Sequence, residues 1–185
     1  MAEEKYKNNE MIFKVANKSA MVIFEDYIDE DWDMNKPSRV IVKFIQTDNN
    51  DKTIQRLTFF LDPHELMSVM GQLINGTFSK TIKSYTDYGG SVNGGKCVKA
   101  NNGELKPIIS SGPESRIFSI YTNNSKLVLD GKAYKGKVIN NGAIKKVGDE
   151  LGHMYFQMDI KQALTMAEAI YSYLYAKKTV TMIGK

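Results

Sequence analysis

The chain has 185 residues, 42% of them hydrophobic and 25% charged, with a formal net charge of +4. That is enough apolar material for one packed body, or for two small lobes sharing a core, and no run is long enough to span a bilayer. A single cysteine, Cys97, excludes a disulfide within the chain, and a charged Met1–Asn9 without an apolar signal region adds to the expectation of a cytoplasmic protein.

The net charge is uneven. Residues 1–33 carry four basic and nine acidic side chains, and residues 34–185 carry 21 basic and 12 acidic. A basic body with one acidic excursion suits a polyanion binder and is also within ordinary variation.

Met11–Ala16 and Ser19–Tyr27 are rich in β-formers and joined by the turn-like Asn17-Lys18. Glu25–Lys36 is an acidic loop around Trp32, closed by Pro37. Arg39–Thr47 alternates, with Val40, Val42 and Phe44 on one side and Arg39, Ile41 and Lys43 on the other, which predicts a half-buried strand. Asp48–Asp51 is a hairpin turn, and Thr53–Leu61 is the next strand, with Leu57, Phe59 and Leu61 opposite Arg56, Thr58 and Phe60. Asp62-Pro63 then opens a helix, Asp as N-cap and Pro in the first turn. Leu66, Val69, Met70 and Leu73 form its apolar face, and Asn75-Gly76 stops it.

Ser79–Thr86 reads as a strand, and Tyr88–Lys106, rich in Gly, Asn and Lys, as a long flexible loop. Strands resume at Pro107–Ser110, Arg116–Thr122, Lys126–Leu129, Lys132–Ile139, Ala143–Val147 and His153–Met158. Asp159 caps a second helix striped by Ile160, Leu164, Ala167, Tyr171 and Leu174, with Ala163 and Ile170 beside them, before a short loose tail over Thr179–Lys185.

The two halves read as copies. Phe59, Leu61 and Asp62 fall on Phe156, Met158 and Asp159 at an offset of 97 residues, and Met21, Ile23 and Phe24 fall on Phe118, Ile120 and Tyr121 at the same offset. The expectation is a single α+β domain of two β-β-β-β-α repeats, about 10–78 and 79–178, with a flexible loop at 88–106. Helices that follow strands in groups speak against a parallel doubly wound sheet and the enzymes built on one.

Motifs for chemistry are weak. Gly90–Cys97 matches a phosphate-binding loop except that Cys97 replaces the magnesium-binding hydroxyl, and Val98–Gly103 is a poor helix for the required context. The carboxylates of Glu25–Asp33 lack the central Gly and ligand order of a calcium loop. His64 and His153, with one Cys, make no zinc set, and neither has an evident nucleophile. The reading is therefore of no catalytic residues, no metal and no cofactor.

What remains is cations and rings on strand faces opposite the core. Arg39, Lys43, Arg56, Phe60, Lys83, Tyr85, Arg116, Tyr121, Tyr134, Lys135, Lys137 and Tyr155 make this set. Cations follow the phosphates of a single strand while rings stack on unpaired bases. The same residues would also serve if a second layer or a partner covered them.

Two β-β-β-β-α units with a basic, aromatic sheet face resemble the Whirly family of single-stranded DNA binders, of which the positive cofactor four family is the one-unit version. Lys135-Gly136-Lys137-Val138-Ile139 is similar to the Lys-Gly-Lys strand motif of that family. The resemblance implies crossed antiparallel sheets, helices at the base, a homo-oligomer (dimer or tetramer) assembled through the helices, and DNA across strand edges without chemistry. The sequence thus points to a non-enzymatic, low-specificity single-stranded DNA-binding protein acting in replication, recombination or transcription. An RNA-binding protein and a protein-interaction or assembly module are the alternatives.

Overall fold

A computed structural model describes residues 9–28, 38–50, 52–81, 83–91, 98–101, 104–107 and 112–183. The acidic loop from position 29 onward with Trp32, most of the Gly90–Cys97 motif, and all of Pro107–Ser110 beyond its first residue lie outside the described residues.

Strands β1 (Met11–Ala16), β2 (Ala20–Tyr27), β3 (Arg39–Thr47) and β4 (Thr53–Leu61) form an antiparallel meander. Short polar side chains build the tight turns. Asn17 Oδ1 accepts from the amides of Ser19 and Ala20 at 3.0 and 2.9 Å, and Asp48 Oδ1 accepts from those of Asn50 and Lys52, both at 2.9 Å. Helix α1 (Pro63–Ile74) follows, its N-terminus capped by Asp62 Oδ1, which accepts from His64 and Glu65 at 2.8 and 3.1 Å. Gly76, at φ 64°, ends it in the left-handed conformation that glycine adopts without strain.

The predicted strand over Ser79–Thr86 is instead a short helix, α2 (Phe78–Thr81), and a strand, β5 (Ser84–Ser91). Phe78 is buried and anchors the turn. The expected loop at 88–106 holds the end of β5 and a hairpin of β6 (Val98–Asn101) and β7 (Glu104–Pro107). Pairing supplies what composition lacks. β5 lies along β8 (Glu114–Asn123), and β6 pairs with β4 through Gln55↔Lys99 and Arg56↔Val98. The four short strands expected between Lys126 and Met158 are two long ones, β9 (Lys126–Val138) and β10 (Ile144–Met158). Gly131 does not break β9, because its missing side chain is a packing requirement. A Cβ there would stand 2.7 Å from the Phe59 ring. Helix α3 runs Ile160–Ile183, so the expected loose tail is helical from 179 to 183, and its last two residues lie outside the described residues.

Two antiparallel sheets result, one ordered β1-β2-β3-β4-β6-β7 and the other β10-β9-β8-β5, and with three helices they make an α+β fold. The sheets pack face to face. Phe44 and Phe59 from the first meet Phe118 from the second, with ring centroids 5.8–6.1 Å apart. Val22, Phe24, Val42, Leu57, Leu129 and Phe156 extend this core, and α1 and α3 close it.

The offset of 97 residues holds from the fourth strand of each meander into the helix. Leu57, Phe59 and Leu61 correspond to Met154, Phe156 and Met158, and Leu66, Val69, Met70 and Leu73 to Ala163, Met166, Ala167 and Ile170, all buried. This corrects the apolar face of α3, since Ile160 is 63% exposed and Met166 is fully buried. In the second strands the offset slips by one. Phe24 is buried while Tyr121 lies on the other face, and a one-residue slip exchanges the faces of a strand.

A polar clasp ties α3 to the first hairpin. The Tyr173 hydroxyl donates to Glu10 and Asp26 at 2.7 and 2.6 Å, and the Lys177 ammonium lies 3.0 Å from Asp26. Burial, and then these two carboxylates, push the Tyr173 phenol far up. No helix among the described residues is long and apolar enough to cross a membrane.

Candidate nucleic-acid interface

Because the sheets meet through their inner faces, their outer faces point in opposite directions. Strand alternation and register decide which residues each carries. The outer face of the six-stranded sheet carries Arg39, Lys43, Arg56 and Phe60. Lys43 is held by Glu25 at 2.5 Å, and the Arg39 guanidinium donates to the Ser38 carbonyl at 2.9 Å. Ile41 and Ile45 on this face are buried, at 6% and 8% exposure, so it is a partly covered surface.

The outer face of the four-stranded sheet also holds buried residues, Val128 at 1% and Ser115 at 5% exposure, and differs in its exposed rings. Register places rows across its strands. Ser84, Tyr121, Val128 and Gln157 make one row, and Thr86, Ser119, Asp130 and Tyr155 the next. Tyr88, Ile117, Lys132 and His153 follow, then Ser115 and Tyr134. Adjacent strands are ~4.8 Å apart and successive rows ~6.8 Å. Tyr88 and Tyr155 stand well out, at 75% and 60% exposure, while Tyr121 and Tyr134 are half-buried.

The floor of this face is polar and organised. Asp130 is buried, yet its carboxylate takes His153 Nε2 at 2.7 Å and the Lys132 ammonium at 3.4 Å. Burial alone would lower the Lys132 pKa, but Asp130 outweighs it and the amine is shifted up, so it stays charged. The Tyr121 phenol is pushed up by burial and then by Asp130, so it stays neutral. The His153 and Tyr155 rings lie 6.0 Å apart. Flat neutral rings beside fixed cations can stack on bases and hold phosphates.

Past this face β9 and β10 continue as a two-stranded arm. Its strands pair through Lys137↔Lys145 and Val138↔Ile144, after a bulge between Lys146 and Glu150. Lys135, Lys137, Lys145 and Lys146 are all exposed. Lys146 stands 3.4 Å over the Tyr134 ring, and Lys135 lies 3.3 Å from Asp149.

The expected set is therefore divided. Tyr121, Tyr134 and Tyr155 share one face; Lys135 and Lys137 take the alternate positions of β9 and point to its other side, and Lys146, opposite Gly136, is the arm lysine over Tyr134. Lys43 and Arg56 lie on the outer face of the six-stranded sheet, and Arg39 and Phe60 border the cleft between the sheets, which Tyr88 also lines. Lys83 is exposed just before β5. Two residues are turned inward. Arg116 is buried in an ion pair with Glu114 at 2.7 Å and donates to the Thr58 carbonyl at 3.4 Å. Its parity with Phe118 puts it on the core side. Tyr85 also faces inward, its hydroxyl bridging Glu65 and Asp87 at 3.2 and 3.4 Å. That bridge borders a cleft of about 370 Å³ at the edge between the sheets, lined by Arg39, Phe60, Glu65, Asp87 and Arg116. Burial and then the charge of Glu65 raise the Asp87 pKa.

Sequence reasoning missed Tyr88, Lys132, Lys145 and Lys146. Tyr88 was hidden by the Gly-Gly pair after it, although Ser84, Thr86 and Tyr88 already alternate. Among the described residues, no three His, Cys, Asp or Glu side chains gather closely enough to share a metal ion. No protein-family model, curated protein or solved structure matches this chain.

Proposed function

We propose that this protein is a non-enzymatic binder of single-stranded DNA with little sequence preference, and that the outer face of the four-stranded sheet is its contact surface. One observation carries the reading. Four tyrosines, Tyr88, Tyr121, Tyr134 and Tyr155, share that face with Lys132, and the arm's Lys146 stands over the Tyr134 ring. Tyr88 and Tyr155 stack on bases, while Lys132 and Lys146 neutralise phosphates. A base has a π-face whatever its identity, so stacking reads no sequence. The likeness to the Whirly family, drawn from element order and the Lys135-Gly136-Lys137 motif, supports the same reading, which gives the protein a role on unpaired strands in the cytoplasm.

The test is anisotropy of labelled oligo-dT. Each stacked base contributes ~1–3 kcal/mol, so Tyr155→Ala and Tyr88→Ala should each weaken binding roughly 5- to 150-fold. Log affinity should fall with log salt at ~0.7 per neutralised phosphate. No retention of oligo-dT at low salt, or unchanged affinity in both variants, overturns the assignment. An RNA strand that outcompetes the matched DNA would move it to RNA, through contacts with the 2′-hydroxyl.

A further inference from the structure

The β9–β10 arm is built against its own stability. Lys137 and Lys145 are directly opposed across the ladder, a like-charge pairing that destabilises a hairpin. Neither makes an ion pair with a described residue. Val138, Ile139 and Val147, near the tip, are exposed as well. Nothing in the core requires this extension. Its root is fixed by Gly136, whose amide donates to the Pro113 carbonyl at 2.7 Å and where a Cβ would meet Ile144 at 2.5 Å and the Ser115 amide at 2.9 Å. Beyond that root the arm reaches about four residues, or ~14 Å. It leaves the body where the tyrosine face ends, past Tyr134.

We propose that the arm docks on duplex DNA, so that the protein's preferred ligand is a junction between duplex and single strand. The claim rests on the single-strand reading of the tyrosine face and extends it. Charge complementarity commits the arm to a polyanion. Shape selects the duplex, because the major groove is ~12 Å wide and ~8.5 Å deep and admits a two-stranded ribbon. Lys137 and Lys145, on paired strands, would reach phosphates of the groove walls. The repulsion between them is relieved when a phosphate is near each, which ties the instability of the free arm to its use.

The experiment compares oligo-dT, a blunt duplex and the same duplex with a dT overhang, with wild-type protein and with K137Q/K145Q. The junction should bind at least about tenfold tighter than either simple ligand, with a salt slope steeper than that of oligo-dT by roughly 2–4, for two to four added phosphate contacts. In the double variant that surplus should disappear while oligo-dT affinity is kept, and the melting temperature should be equal to or above wild type. Equal junction binding by the two proteins overturns the proposal even if oligo-dT binding stands. Arm-dependent binding to the blunt duplex with no oligo-dT binding overturns both readings. Arm-dependent binding to phosphatidylserine vesicles without junction preference reassigns the arm to an anionic membrane surface.

Discussion

Gly131→Ala tests the packing that turns the tyrosine face outward. A methyl at this position would lie 2.7 and 2.8 Å from two ring carbons of Phe59 and 3.2 Å from Phe44. Ordinary carbon contacts are ~3.5–4.0 Å, so the Phe59 ring must retreat by ~1 Å. Phe44 and Phe118 flank that ring, each with its centroid 5.8 Å away. A close-packed core offers little room for this, and overpacking costs about 1–3 kcal/mol. For a chain of this length each kcal/mol moves the midpoint by ~2–4 °C, so the variant should melt roughly 2–12 °C lower. Thermal unfolding followed by circular dichroism reads this directly. Phe59→Leu removes the ring edge that the methyl strikes, so the double variant G131A/F59L should lose less than the two single losses together. A Gly131→Ala protein that melts with wild type, or strict additivity in the double variant, would mean that the sheets do not meet through β9 and β4.

Three other outcomes follow from the described contacts. Arg116→Leu leaves the carboxylate of Glu114, at 0% exposure, without its guanidinium partner. It should destabilise by about 3–5 kcal/mol, while E114L/R116L should recover much of the loss, and a urea midpoint unchanged in the single variant would refute the buried pair. Asp87 has a folded pKa above its ordinary value of 3.8, so its protonated form favours the fold. That contribution is complete below the ordinary value and is lost as pH rises through the raised one, so Asp87→Asn should be the more stable protein near neutral pH and lose less stability than wild type from about pH 4 upward. Parallel stability curves for the two proteins would contradict this. Tyr173→Phe removes both bonds of the clasp to Glu10 and Asp26, and should raise amide exchange in the last turns of α3 and in β1 while exchange in β3 stays unchanged. Uniform exchange across all three would sink the clasp.

Most of the first half was legible because its signals are local. Asp62-Pro63 states a helix start in two residues, Asn75-Gly76 states its stop, and strict alternation in Arg39–Thr47 and Thr53–Leu61 sets both the strands and their buried sides. The second half was less legible because its signals are paired. Gly89 and Gly90 read as loop until β8 is laid alongside, and Gly131 reads as a break until Phe59 is seen to occupy the space of its side chain. Arg116 shows the limit for the site. An arginine among alternating residues is read as solvent-facing, and only a second residue two places back, Glu114, allowed it to sit in the core.

By itself the sequence determined what each residue could do: which segments extend, which cap helices, which rings and cations exist to meet a nucleic acid. Tertiary structure decided which of them stand together. Strand alternation gives every segment two faces but not which face of one sheet meets which face of the other. That choice came from the fit of Phe44, Phe59 and Phe118 around Gly131. It sent Lys43 and Arg56 to one side of the molecule and Tyr121, Tyr134 and Tyr155 to the other.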